Sequence, residues 1–387
     1  MSVGTGTIPF GRPMIGDEER EAVAEVLAGP VLSHGPRGHD FEHAFAEFTG
    51  APHAIATSSC AAALHLAYLG LGIGPGDEVI VPAQTHVATA HVVEACGAKP
   101  VFVDCDPNGN VDLDAAAAAV TERTRAISPV HYLGLPVDME RVLELARRHD
   151  LFVVEDCALA LGATWDDVHT GLHGDVGCFS FYPVKHITTS EGGMAISRRE
   201  DVAERLSKQR AFGIDRTVVA ERRHSGAYDV ELLGLNYRMS ELNAAIGVEQ
   251  LKKLPSFLEA RARNARTIMA GLDGHELVHV LDTSGGGRAR ASFYGVEAVL
   301  AQPVAARREE LIGLLKERGL GVSIHYPRPV PLTTYYKGAY GYREGEFPNA
   351  ERISFESITL PVGPHLGEGD AERAVAILRD GVEELAA

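Results

Sequence analysis

The sequence has few cysteines and no long apolar run. Its five cysteines are an odd number and include no C-x-x-C pair, so free thiols in a reducing compartment are predicted rather than a zinc site or a redox motif. No apolar stretch reaches the ~20 residues that a membrane-spanning helix needs. Residues 1–12 lack the basic start and apolar core of a signal peptide. We therefore expect a cytoplasmic protein with no metal and no membrane role.

Positive charge is also scarce. The chain of 387 residues has 53 acidic and 36 basic residues, which gives a net charge of −17. Because binding to a nucleic acid backbone depends on clustered Lys and Arg, nucleic acid is not a predicted partner. Lysine is rare, with seven residues against 29 arginines. Six of the seven lie in polar or turn-like contexts, and Lys185 is the exception.

Regular alternation of β-rich runs and helical patterns extends from residue 41 to residue 199. This alternation is typical of βαβ units around a mostly parallel sheet. Strands are predicted near 78–82, 101–104, 126–131, 151–155, 177–182 and 192–197, and helices near 61–71, 114–121, 139–148 and 201–210. The fold class predicted is therefore α/β, with helices flanking the sheet.

The pattern changes after Pro255, where helices alternate with isolated strands such as 321–325. At this length about two domains are expected. We predict a large α/β domain over residues 1–254 and a smaller C-terminal α+β domain over residues 255–387. Residues 1–20 are candidates for packing on the smaller domain.

Lys185 lies in the segment GCFSFYPVKHITTSEGG, residues 177–193, among apolar and hydroxyl-bearing neighbours. A lysine that is desolvated by such neighbours loses its proton more easily, and a neutral amine attacks an aldehyde to form an imine. The alternative is a solvated surface lysine, which is the usual setting for this residue type.

This segment resembles the Schiff-base loop of the DegT/StrS-type sugar aminotransferases, a branch of the fold-type I pyridoxal-phosphate enzymes, in its S-F-x-x-x-K-x-x-T-x-x-E-G-G pattern. The resemblance implies that Lys185 is the catalytic residue that binds pyridoxal 5′-phosphate, and that Ser180 binds the cofactor phosphate. A ketosugar dehydratase of the same family has histidine in place of the lysine. In this sequence, counting from Ser180 puts Lys185 at the position of the family's lysine, and His186 is the next residue.

Two further residues are implied to contact the cofactor ring. Asp156 ends a predicted strand, where a carboxylate can pair with the pyridine nitrogen or simply cap a helix. The resemblance favours the pairing. His86, in the segment PAQTHVAT, occupies the place of the family's aromatic residue that stacks on the ring, although a histidine satisfied inside the fold is the alternative.

Small residues open the predicted helix after Thr57, and free N–H groups at such an end favour an anion. The resemblance implies that Ser59, Cys60 and Ala61 bind the cofactor phosphate there. The chain departs from the family pattern at Ala61, where relatives usually carry threonine, and at Leu159, where many carry histidine or glutamine.

Two later segments complete the predicted site. The run LGLNYRM resembles the family's G-x-N-Y-R-M segment and implies that Asn236 reaches the cofactor phosphate of a partner subunit in a homodimer. A loop that enters a helix at Ser240 is compatible with the same residues. The run IHYP resembles a substrate-side loop and implies that His325 and Tyr326 bind substrate, although Val330 stands where a second histidine is common.

The resemblance implies an aminotransferase that takes an amino group from glutamate, holds it as pyridoxamine 5′-phosphate, and delivers it to a keto group of a nucleotide-linked sugar. Arg210, Arg216 and Arg328 are candidates for binding a diphosphate. Two alternatives stay open. One is a pyridoxamine-dependent ketosugar dehydratase on the same fold, and the other is a regulatory or binding protein without turnover.

Overall fold

The computed structural model of the chain describes residues 6–33, 35–214 and 228–387. Its helices are α1 (Asp17–Ala28), α2 (Pro36–Thr49), α3 (Cys60–Gly70), α4 (Val87–Ala95), α5 (Leu113–Ala118), α6 (Met139–His149), α7 (Glu200–Gln209), α8 (Glu241–Leu272), α9 (Arg308–Glu317), α10 (Thr334–Tyr340), α11 (Pro348–Glu356) and α12 (Asp370–Ala386). None of these described helices is both long and apolar enough to cross a bilayer.

The strands are β1 (His53–Thr57), β2 (Glu78–Pro82), β3 (Lys99–Val103), β4 (Thr124–Ile127), β5 (Phe152–Asp156), β6 (Thr164–Trp165), β7 (Val168–His169), β8 (Val176–Ser180), β9 (Gly193–Ser197), β10 (Val278–Val280), β11 (Gly285–Gly286), β12 (Ala289–Arg290), β13 (Val296–Leu300) and β14 (Ser357–Leu360). Seven of them form the central sheet in the order β1-β9-β8-β5-β4-β2-β3. All neighbours are parallel except β9, which is antiparallel to β1 and β8. The predicted α/β class with a mostly parallel sheet is confirmed.

The sheet is covered on both faces, and this explains its apolar central strands. All five residues of β2, with the sequence EVIVP, are buried, as expected for a parallel strand between two helical layers. The flanking helix α6 is strongly amphipathic. Asp138 caps it by accepting a hydrogen bond from the N–H of Arg141 (3.2 Å), and a cap of this kind typically contributes about 1 kcal/mol.

A second apolar core lies in the C-terminal part of the chain, between α8, α9 and α12 and the antiparallel sheet β10-β13-β14. Ile8 belongs to this core, and its backbone is hydrogen-bonded to Gly319 and Gly321 (2.8 Å each). Helix α8 passes through Pro255 without interruption. Because one helix crosses the predicted boundary, the division at residues 254 and 255 stays a prediction.

Two predicted strands differ from the structure. The strand predicted at residues 321–325 is not formed: Gly321 donates one hydrogen bond to Ile8, and Ser323 forms an isolated bridge through two backbone hydrogen bonds with Thr359 (3.0 and 2.7 Å). The chain then leaves the sheet because the His325 carbonyl is bound elsewhere, by Gln84. The strand predicted at 126–131 is shorter and ends at Ile127, since Pro129 has no N–H with which to continue a ladder.

Candidate active site

Lys185 lies in a loop between β8 and β9, at the carboxyl edge of the central sheet. The loop closes on itself, with hydrogen bonds from the N–H of Phe181 to the Gly192 carbonyl (2.9 Å) and from the N–H of Thr189 to the Phe181 carbonyl (3.0 Å). The Phe181 ring is anchored in the core against Phe41 at 5.2 Å. This framework fixes the stem from which Lys185 extends.

The amino group of Lys185 sits in an apolar setting. Its Nζ lies 5.0 Å from the centre of the Tyr294 ring, and no carboxylate within the described ranges lies within 4 Å of it. Burial lowers the pKa of the Lys185 ammonium to about 8; the charge of Arg261 acts in the same direction, while Cys60 and Asp156 oppose it. The neutral amine, which is the form that attacks a carbonyl, is therefore about a tenth of the total at pH 7, far more than for a lysine with the ordinary pKa of 10.5.

This lowered pKa predicts how the cofactor reacts with protein from which it has been stripped. The rate of covalent attachment of pyridoxal 5′-phosphate should rise with pH and level off above about 8, because the neutral amine is the nucleophile. Stopped-flow absorbance between pH 6 and about 10 measures it. A rate that is still climbing at the upper limit would indicate a lysine with its ordinary pKa of 10.5.

Asp156 ends β5 on the same edge of the sheet and is buried. Its Oδ2 accepts a hydrogen bond from the Thr89 hydroxyl (2.8 Å) and its Oδ1 accepts from the N–H of Ala158 (3.0 Å). In the part of the chain that the structure describes, no basic side chain forms an ion pair with it. A buried carboxylate is costly without a cationic partner, and a protonated pyridine nitrogen supplies one. The cofactor therefore fits this site.

The start of α3 forms an anion cradle beside Lys185. Ser59 caps the helix by accepting from the N–H of Ala62 (3.1 Å), and the N–H groups of the first turn, at Cys60 and Ala61, have no partner within the helix. Gly193 lies against this turn, where a Cβ would come within 2.5 Å of the Cys60 nitrogen. Its strand partner is Ser180. Gly193 thus places Ser180 close to the first turn of α3. We call Ser59, Cys60, Ala61 and Ser180 the phosphate cradle, and their binding of the cofactor phosphate stays a prediction.

A comparison with known proteins agrees with this geometry. The sequence model of the DegT/DnrJ/EryC1/StrS aminotransferase family matches residues 13–379. The chain belongs to this family. It is 37% identical over 382 residues to the spore coat polysaccharide biosynthesis protein SpsC of Bacillus subtilis, covering 97% of each chain.

Solved structures of aminotransferases match across the whole fold. The sugar aminotransferase Spr1654 of Streptococcus pneumoniae, in its PMP form, superposes with a TM-score of 0.92 at 28% identity, covering 98% of this chain and 100% of the other. DesV of S. venezuelae, in complex with a ketimine intermediate, gives a TM-score of 0.87 at 34% identity, with coverage of 97% and 99%. This family member is accordingly a PLP-dependent aminotransferase of fold type I, related to sugar aminotransferases.

Of the other predicted contacts in this aminotransferase, His86 lies at the mouth of the site. It caps α4, where its Nδ1 accepts from the N–H of Ala88 (3.2 Å), and its ring packs at 5.7 Å against that of Tyr326. Burial, followed by the charge of Lys185, lowers the pKa of the His86 imidazole. The ring is thus neutral and partly exposed, and its stacking on the cofactor stays a prediction.

His186 follows Lys185 in the chain and was the residue that suggested a dehydratase, in which a histidine replaces the lysine. The imidazole of His186 is buried, and its Nε2 lies 3.1 Å from the Ser292 carbonyl. Burial holds the pKa of His186 well below its usual range. Tyr294 contacts both residues, with its ring 6.1 Å from that of His186 and 5.0 Å from Nζ of Lys185. Because the Ser292 carbonyl holds the imidazole, His186 is not placed to act instead of the lysine amine.

Asn236 lies on the surface of the protomer. Its Oδ1 accepts a hydrogen bond from Nε of Arg238 (2.9 Å), and the neighbouring Tyr237 carbonyl binds the N–H of Ser58, next to the phosphate cradle. The side chain is exposed. Within one chain the structure does not bring it to the cofactor phosphate, and its contact with a partner's cofactor stays a prediction.

Sequence reasoning missed two residues that lie close to Lys185. Arg261, on α8, is buried and donates hydrogen bonds to the carbonyls of Phe293 (3.3 Å), Tyr294 (3.2 Å) and Lys185 (3.3 Å). Burial lowers the pKa of Arg261 to about 10. Tyr294 supplies the ring beside the Lys185 amine. Neither residue lies in a recognisable motif, because both reach the site through tertiary packing.

Behind Asp156, Glu155 forms a buried polar network. His131, Glu155 and Cys157 each bring a potential metal ligand within 4.8 Å of the others, but hydrogen bonds already occupy the carboxylate. It accepts from His131 Nε2 (3.0 Å) and from the N–H groups of Gly171 (2.7 Å), His173 (2.9 Å) and Gly174 (2.7 Å). Burial opposes ionisation, but these bonds hold the pKa of Glu155 below its ordinary value.

Glu155→Gln is expected to destabilise the protein by about 3 kcal/mol at neutral pH, because the amide nitrogen cannot accept the hydrogen bonds that the buried carboxylate accepts from His131 and three backbone N–H groups. A depressed folded-state pKa stabilises the protein above the unfolded value of 4.5, and this contribution is lost as the pH falls through the folded pKa. The difference in free energy of unfolding between Glu155→Gln and the wild type should therefore become smaller at acidic pH. Urea unfolding at pH 7 and pH 4 measures it, with Glu144→Gln on the solvated face of α6 as control. Equal stability of Glu155→Gln and wild type at pH 7 would contradict the network's role.

Proposed function

We propose that the enzyme transfers an amino group from glutamate to a keto group of a nucleotide-linked sugar. The supporting observation is the presence, in one site, of a desolvated Lys185 amine and a buried Asp156 carboxylate that has no cationic partner among the described residues. The relationship to sugar aminotransferases supports a sugar as acceptor. Glutamate and the nucleotide carrier follow from the family resemblance.

The cofactor, when bound, supplies an electron sink for the carbanion at the donor's Cα. The residues of the chain do the rest. Asp156 would keep the pyridine nitrogen protonated, and the first turn of α3 with Ser180 would hold the phosphate. The Lys185 amine would hold the cofactor covalently and, when free, would accept the proton from Cα of the donor and later donate a proton to the carbon of the acceptor that receives the amino group. A pKa near 8 allows this amine both to accept and to donate a proton near neutral pH.

Arg328 is our candidate for the anionic part of the acceptor. It is exposed, two residues after Tyr326, and its nearest hydrogen-bond acceptor is the Leu332 carbonyl at 3.5 Å. Arg210 is unsuited to this task because it is bound to Glu42 and to the Ala56 carbonyl (2.7 Å). Arg216 lies outside the described residues. We therefore propose that Arg328 contacts the diphosphate.

We also propose a cytoplasmic homodimer whose active sites are shared between subunits. Apolar side chains are exposed around Asn236, and the exposed fractions of Leu233 and Tyr228 are 78% and 63%. Phe212 and Val230 extend the same surface, at 45% and 50%. Monomeric proteins rarely expose contiguous apolar surface of this kind. A partner subunit covering it would carry its own Asn236 towards the phosphate cradle of this chain.

Subunit mixing tests the shared site. Lys185→Ala is expected to be inactive and Asn236→Ala weakly active. Co-refolding equal amounts should restore about one quarter of wild-type activity, since half of the dimers are mixed and each mixed dimer has one intact site. The measurement is transaminase activity before and after mixing. Mixing Lys185→Ala with Asp156→Asn, both from one side of the site, is the control and should restore nothing. If the Asn236 mixture also stays inactive, each site is built from one chain.

The reaction itself is tested with ¹⁵N-glutamate, pyridoxal 5′-phosphate and a panel of nucleotide-linked ketosugars. The proposed function predicts ¹⁵N in the sugar product and 2-oxoglutarate in equal amount. A product that has lost a hydroxyl and gained no nitrogen would identify a dehydratase instead. If only free ketosugars give a nitrogen-labelled product, the proposed transamination holds and the proposed nucleotide carrier is wrong.

A further inference from the structure

A buried carboxyl group lies behind the substrate-side loop and plays no part in the mechanism described above. Glu297, in the middle of β13, is fully buried. Its Oε2 accepts a hydrogen bond from the Thr359 hydroxyl (2.6 Å), and its Oε1 contacts the Ser357 hydroxyl. Within the residues described by the structure, no Lys, Arg or His lies within 4 Å of it. Because burying a carboxyl group without a cationic partner is unfavourable, we expect Glu297 to have a role in the site.

Thr359 connects Glu297 to the active site. Its Oγ1 lies 2.9 Å from Nδ1 of His325. A hydroxyl has one proton, and Thr359 donates it to Glu297, so towards His325 the same oxygen can only accept. The hydrogen on the imidazole must therefore be on Nδ1. Nε2 is left with a free lone pair.

Protonation of Glu297 does not reverse this arrangement. Burial raises the pKa of Glu297 to about 7, so both forms occur near neutrality. The Ser357 hydroxyl lies 2.6 Å from the Ile353 carbonyl, to which it can donate its own proton. A proton on Glu297 is then accommodated on Oε1, facing Ser357, and Oε2 still accepts from Thr359.

The orientation of His325 is fixed from several sides. Its carbonyl accepts hydrogen bonds from Gln84 Nε2 (2.7 Å) and from the Tyr132 hydroxyl. Its ring packs at 5.2 Å against Tyr294 and at 5.4 Å against Tyr326. Tyr294 is the ring beside the Lys185 amine. The imidazole therefore lies one ring away from the reactive nitrogen.

His325 is a neutral hydrogen-bond acceptor at this position. Burial, and after it the charge of Lys185, lowers the pKa of the His325 imidazole to about 3, so it carries no charge at neutral pH. Its Nε2 has no hydrogen-bond partner among the side chains and backbone groups of residues 6–33, 35–214 and 228–387. A group on the substrate can satisfy it.

We infer that Glu297 and Thr359 are positioning residues that hold His325 in the Nδ1–H tautomer, so that Nε2 accepts a hydrogen bond from a hydroxyl of the acceptor sugar. This inference rests on the proposed function, since it presumes a sugar in the site. The other tautomer would present a donor at Nε2; a sugar hydroxyl could accept from it, but the hydroxyl proton would then lose its acceptor. The Glu297–Thr359 pair thus favours acceptor sugars that carry a hydroxyl at this point over those that carry a keto oxygen there, because a keto oxygen cannot donate to Nε2.

Thr359→Val and Thr359→Ser form a matched pair for the test. Valine keeps the shape and removes the hydroxyl, whereas serine keeps the hydroxyl. The ¹⁵N chemical shifts of the His325 ring are assigned by their absence in His325→Gln. They are expected to report the Nδ1–H tautomer in the wild type and a larger population of the Nε2–H tautomer in Thr359→Val. The KM for the sugar should rise about tenfold, the value of one hydrogen bond, while kcat and the visible absorbance of bound cofactor stay within about twofold.

Thr359→Ser should restore both the shifts and the KM. Glu297→Gln should also match the wild type, because its amide oxygen can face Thr359 and its amide nitrogen can face Ser357. Unchanged shifts in Thr359→Val would overturn the inference, and so would altered shifts with an unchanged KM for the sugar. Failure of the proposed function is distinct: the wild type would then aminate no ketosugar, while the ring shifts of the resting enzyme would still report the tautomer.

Discussion

Replacing Lys185 with alanine is expected to abolish both cofactor attachment and turnover. The variant loses the amine that forms the covalent bond and the base that moves the proton, so activity should fall by at least about 1,000-fold. The visible absorbance of bound cofactor should disappear at the same time. Absorbance spectra and initial rates with glutamate measure the two effects on one preparation.

Lys316→Ala is the matched control for this experiment, because Lys316 is exposed on α9. It should keep the spectrum and the rate of the wild type. A Lys185→Ala protein that retains both properties would exclude the assigned role. Retention of folding is checked by the unfolding midpoint, which should change little because the lysine amine makes no ion pair in the described structure.

Asp156→Asn is expected to lower kcat by about 100- to 1,000-fold, the usual effect of removing one electrostatic contact to a transition state. The amide keeps the shape and can still accept from Thr89, but it cannot hold a proton on the pyridine nitrogen by charge. The cofactor should remain bound through Lys185 and the phosphate cradle. Single-turnover rates with glutamate measure the effect on proton removal.

Asp114→Asn, an exposed carboxylate on α5, is the control and should leave kcat unchanged. Thr89→Val gives an intermediate case, because it removes a hydrogen bond from Asp156 and keeps its charge. We expect a loss of about tenfold or less from that variant. If Asp156→Asn reacts as fast as the wild type, the carboxylate has only a structural role.

Six of the seven strands of the central sheet, all but β1, and the Lys185 loop could be predicted because their determinants are local. Continuous apolar runs such as 78–82 mark strands that are buried on both faces, and a single enclosed lysine between two such runs marks the loop. Asp156 followed from the same logic, since carboxyl ends of parallel strands meet at one edge. For these elements the residues adjacent in sequence are also the ones that decide the structure.

The remaining parts of the site depend on contacts between distant segments. Arg261 reaches the Lys185 carbonyl across 76 positions, and Glu297 meets Thr359 across 62. No local pattern distinguishes these residues from an ordinary arginine on a helix or an acidic residue in a strand. The mistaken strand at 321–325 has the same origin, because the Gln84 contact that removes His325 from the sheet comes from another part of the chain.

Reduction of the enzyme with borohydride in the presence of pyridoxal 5′-phosphate tests the central claim most directly. Reduction makes the bond between cofactor and lysine permanent, and peptide mass spectrometry then locates it. The structure predicts one labelled peptide, which contains Lys185, the lysine whose pKa is lowered to about 8. Labelling of any of the other six lysines, or no label at all, would contradict the account.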